Sequence, residues 1–280
     1  VDKTNQQNDW SNRTVFITGG SRGIGRAIAL RLAQAGAQIV IAAKTKAPHP
    51  KLSGTIDTVA EEVRALGAKA LPLQVDIRDE AAVLAAVEKT VETFGGIDVL
   101  INNASAIRLT PTLDTPMKQF DLMHSVNARG TFLCAQACLP YLKKSSNPHI
   151  LTLSPPLSLQ PKWFSGYLAY TMSKYGMSLC TLGLAAEFKT AGIAVNSLWP
   201  RSTIATAAIE FNFPKRLLEA SRKAEIMADA AYAVLSKNSR DYTGQFLIDE
   251  VVLRAEGVVD FDAYAVNPKV PLYLDLYVEG

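Results

Sequence analysis

Six short runs rich in β-branched and aliphatic residues punctuate the chain: TVFIT, QIVIAA, ALPLQV, IDVLIN, HILTLS and AVNSLW. Each is followed, after a turn signal, by a longer segment whose apolar residues recur at helical spacing. Those segments cover residues 24–36, 55–66, 79–94, 117–142 and 168–190, with a helix-prone zone over 203–236. A crossover helix between parallel strands must bury an apolar stripe on the sheet and returns with a right-handed turn. The alternation therefore predicts an α/β chain of Rossmann type: a doubly wound, mainly parallel sheet with helices on both faces. GQFLID, residues 244–249, supplies a seventh strand. A length of 280 residues suits one such domain over 1–280. Residues 1–12 read as a polar leader, KTKAPHPKLSG and EFNFPK as insertions, and 250–280 as an irregular tail laid on the domain or on a neighbouring subunit.

The stretch TGGSRGIG, Thr18 to Gly25, places four glycines in eight residues between the first strand and the first helix. Glycine loses more backbone entropy on ordering than any other residue, so a cluster of them needs a compensating use. In an open α/β sheet this turn is where a pyrophosphate meets the free N–H groups of a helix N-terminus. Gly19, Ser21, Arg22, Gly23, Ile24 and Gly25 are the expected cradle; a tight turn without a ligand is the alternative. An acidic residue closing the second strand would bind a ribose diol and repel a 2′-phosphate. Here the strand runs into Lys44, and Arg22 stands in the loop. Two cations without the acid predict NADP(H) in preference to NAD. Lys46, His49 and Lys51 either extend that anion site or are solvated loop cations.

Composition excludes other classes. A formal net charge of +3 argues against nucleic acid or an anionic membrane as partner. No apolar run reaches the ~20 residues of a bilayer span. Three cysteines, Cys134, Cys138 and Cys180, contain no C-x-x-C pair and no metal-ligand spacing. They suit a reducing, cytoplasmic compartment and no metal; Cys134 and Cys138, one helical turn apart, are packing residues or a redox pair.

Thr18-Gly19-x-x-x-Gly23-Ile24-Gly25, Asn102-Asn103-Ala104, Asn127, Tyr170-x-x-x-Lys174 and Pro200, in this order, resemble the short-chain dehydrogenase/reductase family from Thr14 to about Asp249. VIAAKT, GGIDVLINNASAI, YTMSKYGMS and AVNSLWP further resemble its hydroxysteroid dehydrogenase-like branch. The resemblance implies that Asp76 contacts adenine, that Asn103 and Ala104 back the adenosine side, and that Asn127 bends its helix and holds a water in a proton relay. It further implies that backbone near Pro200 and Ile204 meets the nicotinamide carboxamide, and that the protein is a homodimer or homotetramer built through helices 117–142 and 168–190.

Tyr170 and Lys174, four apart on a helix, share one face. A free phenol titrates near ~10, and neighbouring positive charge from Lys174 and an oxidised nicotinamide is expected to lower it, making Tyr170 the acid/base catalyst. The family's substrate-orienting serine is displaced: Pro155, which has no donor, takes its place at the end of the fifth strand, leaving Ser154 one residue early and Ser158 in the following loop. Ser154 is the candidate replacement. The implied reaction is NADP(H)-linked interconversion of a ketone or aldehyde and an alcohol on an apolar substrate. Reduction of an enoyl or dienoyl thioester C=C bond, or a non-catalytic NADP(H)-binding sensor or scaffold, are the alternatives.

Overall fold

The computed structural model describes residues 10–48, 53–212 and 214–279. Seven parallel strands, β1 Thr14–Thr18, β2 Gln38–Ala43, β3 Ala70–Gln74, β4 Val99–Asn102, β5 His149–Thr152, β6 Ala194–Trp199 and β7 Phe246–Ile248, form one sheet in the order β3-β2-β1-β4-β5-β6-β7. β1 to β6 fall within the six β-rich runs because helices cover both sides of the sheet, and strands buried on both faces are rich in apolar residues at successive positions. Successive side chains go to opposite cores: Val15, Ile17, Ile39 and Ile41 enter one, Phe16 and Val40 the other.

The helices are α1 Gly23–Gln34, α2 Ile56–Ala65, α3 Glu80–Phe94, α4 Met117–His124, α5 Gly130–Leu142, α6 Leu168–Glu187, α7 Ala207–Asn212, α8 Lys215–Glu219, α9 Glu225–Leu235 and α10 Asp249–Ala255. α1 and α9 pack against each other on one face, with α10 against α9; α3 and α5 lie together on the other. Chain order reverses between β1 and β4, so the carboxyl ends of these two strands open a crevice at the switch point.

Several sequence expectations are corrected. The long segment 117–142 is interrupted by a π-helical turn, Ser125–Arg129, which places Asn127 in the interior. The zone 203–236 divides into α7, α8 and α9, with Pro214 preceding α8. The segment after Asp249 begins as a helix, α10, with Asp249 and Glu250 in its first turn and an Arg254–Glu250 pair one turn apart. The leader ends in a fixed anchor: Trp10 is buried, donates from Nε1 to Ser236 Oγ at 3.3 Å and is stacked by the Arg13 guanidinium. His49 and Lys51 of the first insertion and Phe213 of the second lie outside the described residues.

Candidate active site

The turn from β1 into α1 is shaped by close approaches that only hydrogen atoms permit. Gly19 has φ +67°, and a Cβ on it would sit 2.9 Å from Ala104 Cα; a Cβ on Gly25 would lie 2.5 Å from Asn103 Nδ2 and 2.7 Å from Gly19 O. Asn103 ties β4 to this loop: its Nδ2 donates to Thr18 O and Gly19 O, both at 3.0 Å, and its backbone N–H to Thr18 Oγ1. The glycine loop and the end of β4 thus set one main-chain surface.

That surface lines a cleft of about 690 Å³ bounded by Gly19, Ser21, Arg22, Gly23, Ile24, Lys44, Asp76, Asn103 and Ala104 among others. No side chain caps α1, and its first turn carries no acid, so its N-terminal N–H groups remain directed at the cleft. Arg22 donates from Nη2 to Gly54 O at 3.0 Å, while its Nε is buried without a hydrogen-bond partner in the protein. An anion-binding turn is what these features fit, and a dinucleotide pyrophosphate suits them. Lys44 Nζ is 3.3 Å from Asp76 Oδ2, and Arg78 grips the same carboxylate at 2.6 Å. Asp76 is consequently held well below the usual carboxylate range, chiefly by the Arg78 hydrogen bonds. The lining also includes Glu210, on α7.

A second pocket, about 260 Å³, adjoins the first through Ile24, Asn103, Ser105 and Thr206, which line both. α6 projects Tyr170 and Lys174 into it, and Leu153, Trp199, Pro200, Ile204, Leu217 and Met227 make it largely apolar. Lys174 Nζ donates to Leu153 O at 2.7 Å and lies 5.0 Å from the centre of the Trp199 ring.

Asn127 lines neither pocket. Its amide braces the cleft wall from behind, accepting from Ala106 N–H at 2.7 Å and donating to Ala106 O and Ser173 Oγ, both at 2.9 Å. Ser154 is not brought to Tyr170. Strand alternation continued past β5 sends Leu153 into the pocket and turns Ser154 away, fully buried, with its hydroxyl 2.8 Å from Ser197 Oγ. Ser158 lies outside the pocket as well, in a groove beside Trp163 and Tyr277, and Pro155 offers only its carbonyl, to Ser178 Oγ.

Sequence reasoning missed the pocket's cover. Residues 273–276 form one of its walls. They are fixed by Thr203 N–H to Tyr273 O at 3.0 Å, Tyr273 N–H to Ala220 O at 2.9 Å, Asp275 N–H to Arg201 O at 3.0 Å and Trp199 Nε1–H to Leu276 O at 2.8 Å. Tyr277 then inserts between Trp163, Tyr175 and Trp199, with ring centres 5.5–5.9 Å apart. The signal available in PLYLDLY was a lone carboxylate alternating with large apolar residues. The cover also adds an electrostatic influence that the sequence reading did not include. Burial pushes the Tyr170 phenol well above its ordinary range, with Tyr277 and Asp275 adding to the shift, and draws Lys174 down to about 7 against the opposing pull of Asp275. Desolvation outweighs attraction between groups enclosed this way.

Cys134 and Cys138 are free and buried; burial raises Cys134 to about 12 and pushes Cys138 well above its ordinary range, which disfavours the reactive thiolate. Among the described residues no cluster of three or more His, Cys, Asp or Glu is arranged to hold a metal, and no helix is long and apolar enough to cross a membrane.

The model of the short chain dehydrogenase family matches residues 13–215. Hydroxysteroid dehydrogenase-like protein 2 of Danio rerio is 58% identical over 267 residues, which are 95% of this chain and 64% of that protein; the chain thus spans less than two thirds of that relative. A crystal structure of a dehydrogenase from Xanthomonas campestris superposes with a TM-score of 0.94 at 56% identity, covering 97% of this chain and 99% of that one. A short chain dehydrogenase of Mycobacterium thermoresistibile gives 0.92 at 52% identity over 97% and 96%. With its glycine turn, switch-point cleft and adjoining pocket, this chain belongs to the short-chain dehydrogenase family and resembles hydroxysteroid dehydrogenase-like protein 2.

Proposed function

We propose that the protein interconverts a ketone or aldehyde and the corresponding alcohol on an apolar substrate, using NADP(H). The observation that supports this best is the placement of Tyr170 and Lys174 in an apolar pocket whose wall is continuous with the glycine cleft. Gly19, Ser21, Arg22, Gly23, Ile24 and Gly25 would hold the dinucleotide, with Asp76, Asn103 and Ala104 along the same cleft and Pro200 and Ile204 at the pocket end. The nicotinamide supplies or receives the hydride. Tyr170 Oη gives its proton to the substrate oxygen in reduction and takes it back in oxidation, and a phenol raised by burial starts in the protonated form that reduction requires. Lys174, tethered to Leu153 O and faced by Trp199, has one defined place beside it.

The preference for NADP(H) rests on Arg22 and Lys44, on the absence of an acid at the end of β2, and on Asp76 being already engaged by Arg78. Exposed Phe132 on α5 and Leu179 and Leu182 on α6 favour a homo-oligomer assembled on those helices. Free cysteines are consistent with a cytoplasmic setting.

Tyr170→Phe tests the reading. It should lower turnover on a ketone panel by about 10²–10⁴-fold while leaving NADPH binding in place; unchanged turnover would remove Tyr170 from the chemistry. The withdrawal of Ser154 from the pocket favours a second reading, reduction of an enoyl thioester, in which no hydroxyl need hold a carbonyl beside Tyr170. Turnover of enoyl thioesters with none of ketones would select it.

A further inference from the structure

Lys174 and Asp275 are the two charged side chains in the lining of the apolar pocket. They arrive from elements far apart in sequence, Lys174 from the long helix α6 and Asp275 from the terminal segment that forms one wall of the pocket. Asp275 is held there by its own main chain. Its N–H donates to Arg201 O, and Oδ1 accepts the N–H of Leu276 at 2.7 Å, which leaves Oδ2 available to the pocket. Leu274 and Leu276 on either side are pinned to the body of the domain, the first by an antiparallel bridge to Ser202 and the second by the indole N–H of Trp199. A carboxylate placed so firmly between two apolar residues, above a buried ammonium, is a costly arrangement unless the two charges serve each other.

We propose that Asp275 is a positioning residue of the catalytic pocket: it sets a carboxylate in the same apolar lining as Lys174, so that the competence of Tyr170 and Lys174 depends on the docked terminal segment. The groups that act on Asp275 are Lys174 from α6, Asp249 from the start of α10, and Tyr170 and Tyr277 as neighbouring phenols. Of these, only Lys174 is cationic. Burial and the Asp249 carboxylate push Asp275 up to about 7 while Lys174 opposes them, and burial draws Lys174 down to about 7 while Asp275 opposes it. Each group therefore favours the charged form of the other. Neutralising Asp275 removes the carboxylate that holds Lys174 charged and shifts Lys174 towards the free amine.

The charge relation rests on the two groups sharing one apolar pocket, whatever the reaction; its catalytic consequence rests on the reaction proposed above. The intact protein, with lysine labelled by carbon-13 at Cε and the resonance assigned by Lys174→Arg, is titrated without substrate. In Asp275→Asn the Lys174 midpoint should fall by about one pH unit, a roughly tenfold drop in the ammonium-to-amine ratio at a given pH, and Asp275→Glu should restore most of it. Equal midpoints in wild type and Asp275→Asn overturn the proposal. Should Asp275→Asn fail to fold, the wild-type titration decides: coupled two-step curves for Lys174 and the Asp275 carboxyl carbon support it, and independent single steps overturn it. With a ketone substrate, Asp275→Asn should move the alkaline loss of kcat to lower pH, with KM for NADPH little changed. A Tyr170→Phe variant as active as wild type defeats the reaction assignment; an inactive Tyr170→Phe beside an unshifted Asp275→Asn profile defeats the role of Asp275.

Discussion

In the glycine cleft the contacts that set the shape are between main-chain atoms and one asparagine amide: Asn103 Nδ2, Gly19 O and the Cα of Ala104 lie close enough to exclude a side chain at Gly19 or Gly25. In the adjoining pocket the shape comes from side chains brought by elements far apart in sequence, α6, the end of β6 and the segment 273–276. A wall of backbone tolerates almost no substitution where chains touch, but it is assembled by two adjacent strands. A wall of side chains tolerates change residue by residue, yet it stands only while a terminal segment remains docked. The two halves of the site should accordingly fail in different ways.

The largest effect is expected where the cover is anchored. Tyr277 is buried at 3% exposure among Trp163, Tyr175 and Trp199. Tyr277→Ala leaves a ring-sized cavity and should cost about 3–5 kcal/mol in denaturant unfolding. None of these partners lines the glycine cleft, so NADPH affinity should remain within about twofold of wild type while turnover on the ketone substrate collapses. Parallel losses of affinity and turnover would show that the two halves are one cooperative unit.

Gly25→Ala probes the other half. The added methyl would press on Asn103 Nδ2 and Gly19 O, both rigidly held, and overpacking of this kind costs about 1–3 kcal/mol. Here NADPH affinity should fall at least about tenfold, because the displaced atoms form the surface that receives the dinucleotide. Isothermal titration checks it, and wild-type affinity would mean that the loop adjusts without disturbing the cleft.

The contrast also explains what could be read from the chain. Strands buried on both faces, the glycines and the four-residue step from Tyr170 to Lys174 are local patterns, and a doubly wound sheet converts them into the switch-point cleft with little freedom. The position of Ser154 was half legible: alternation along β5 fixes which way it points, but only the placement of Leu153 in the pocket decides which face that is. Asn127 announces an interruption in a helical pattern, whereas its bonds to Ala106 and Ser173 depend on a π-helical turn that no spacing marks. The docking of Asp275 and Tyr277 was not legible, because it joins residues roughly a hundred positions from α6 through single bridges and aromatic packing. With that cover absent from the reasoning, the lowering influence of positive charge on the phenol was counted and the raising influence of burial was not.

A smaller effect should separate charge from shape within the cleft. Lys44 is 63% exposed in its side chain and already shares Asp76 with Arg78, so its attraction for a 2′-phosphate is screened. Arg22 is the less exposed of the two cations and has an unpartnered Nε. The pair Arg22→Ala and Lys44→Ala should reduce the ratio of NADPH to NADH affinity by roughly tenfold, most of it from Arg22, with no change in unfolding midpoint beyond about 0.5 kcal/mol. An unaltered ratio would move cofactor selection elsewhere in the cleft.

The smallest expected change isolates the hydrogen bond at the cover from its packing. Thr171 Oγ1 donates to Trp163 O at 2.6 Å, so in its 3.0 Å contact with Tyr277 the phenol must be the donor. Tyr277→Phe removes that donor but leaves Thr171 bonded to Trp163, and no buried group loses its last partner. The cost should therefore sit near the low end for a hydrogen bond, about 0.5–1 kcal/mol, with kcat and KM close to wild type. If Tyr277→Phe instead weakens the protein as much as Tyr277→Ala, the cover is held by a directed bond and not by aromatic burial. The pocket half of the site would then share with the glycine half a dependence on one fixed polar geometry.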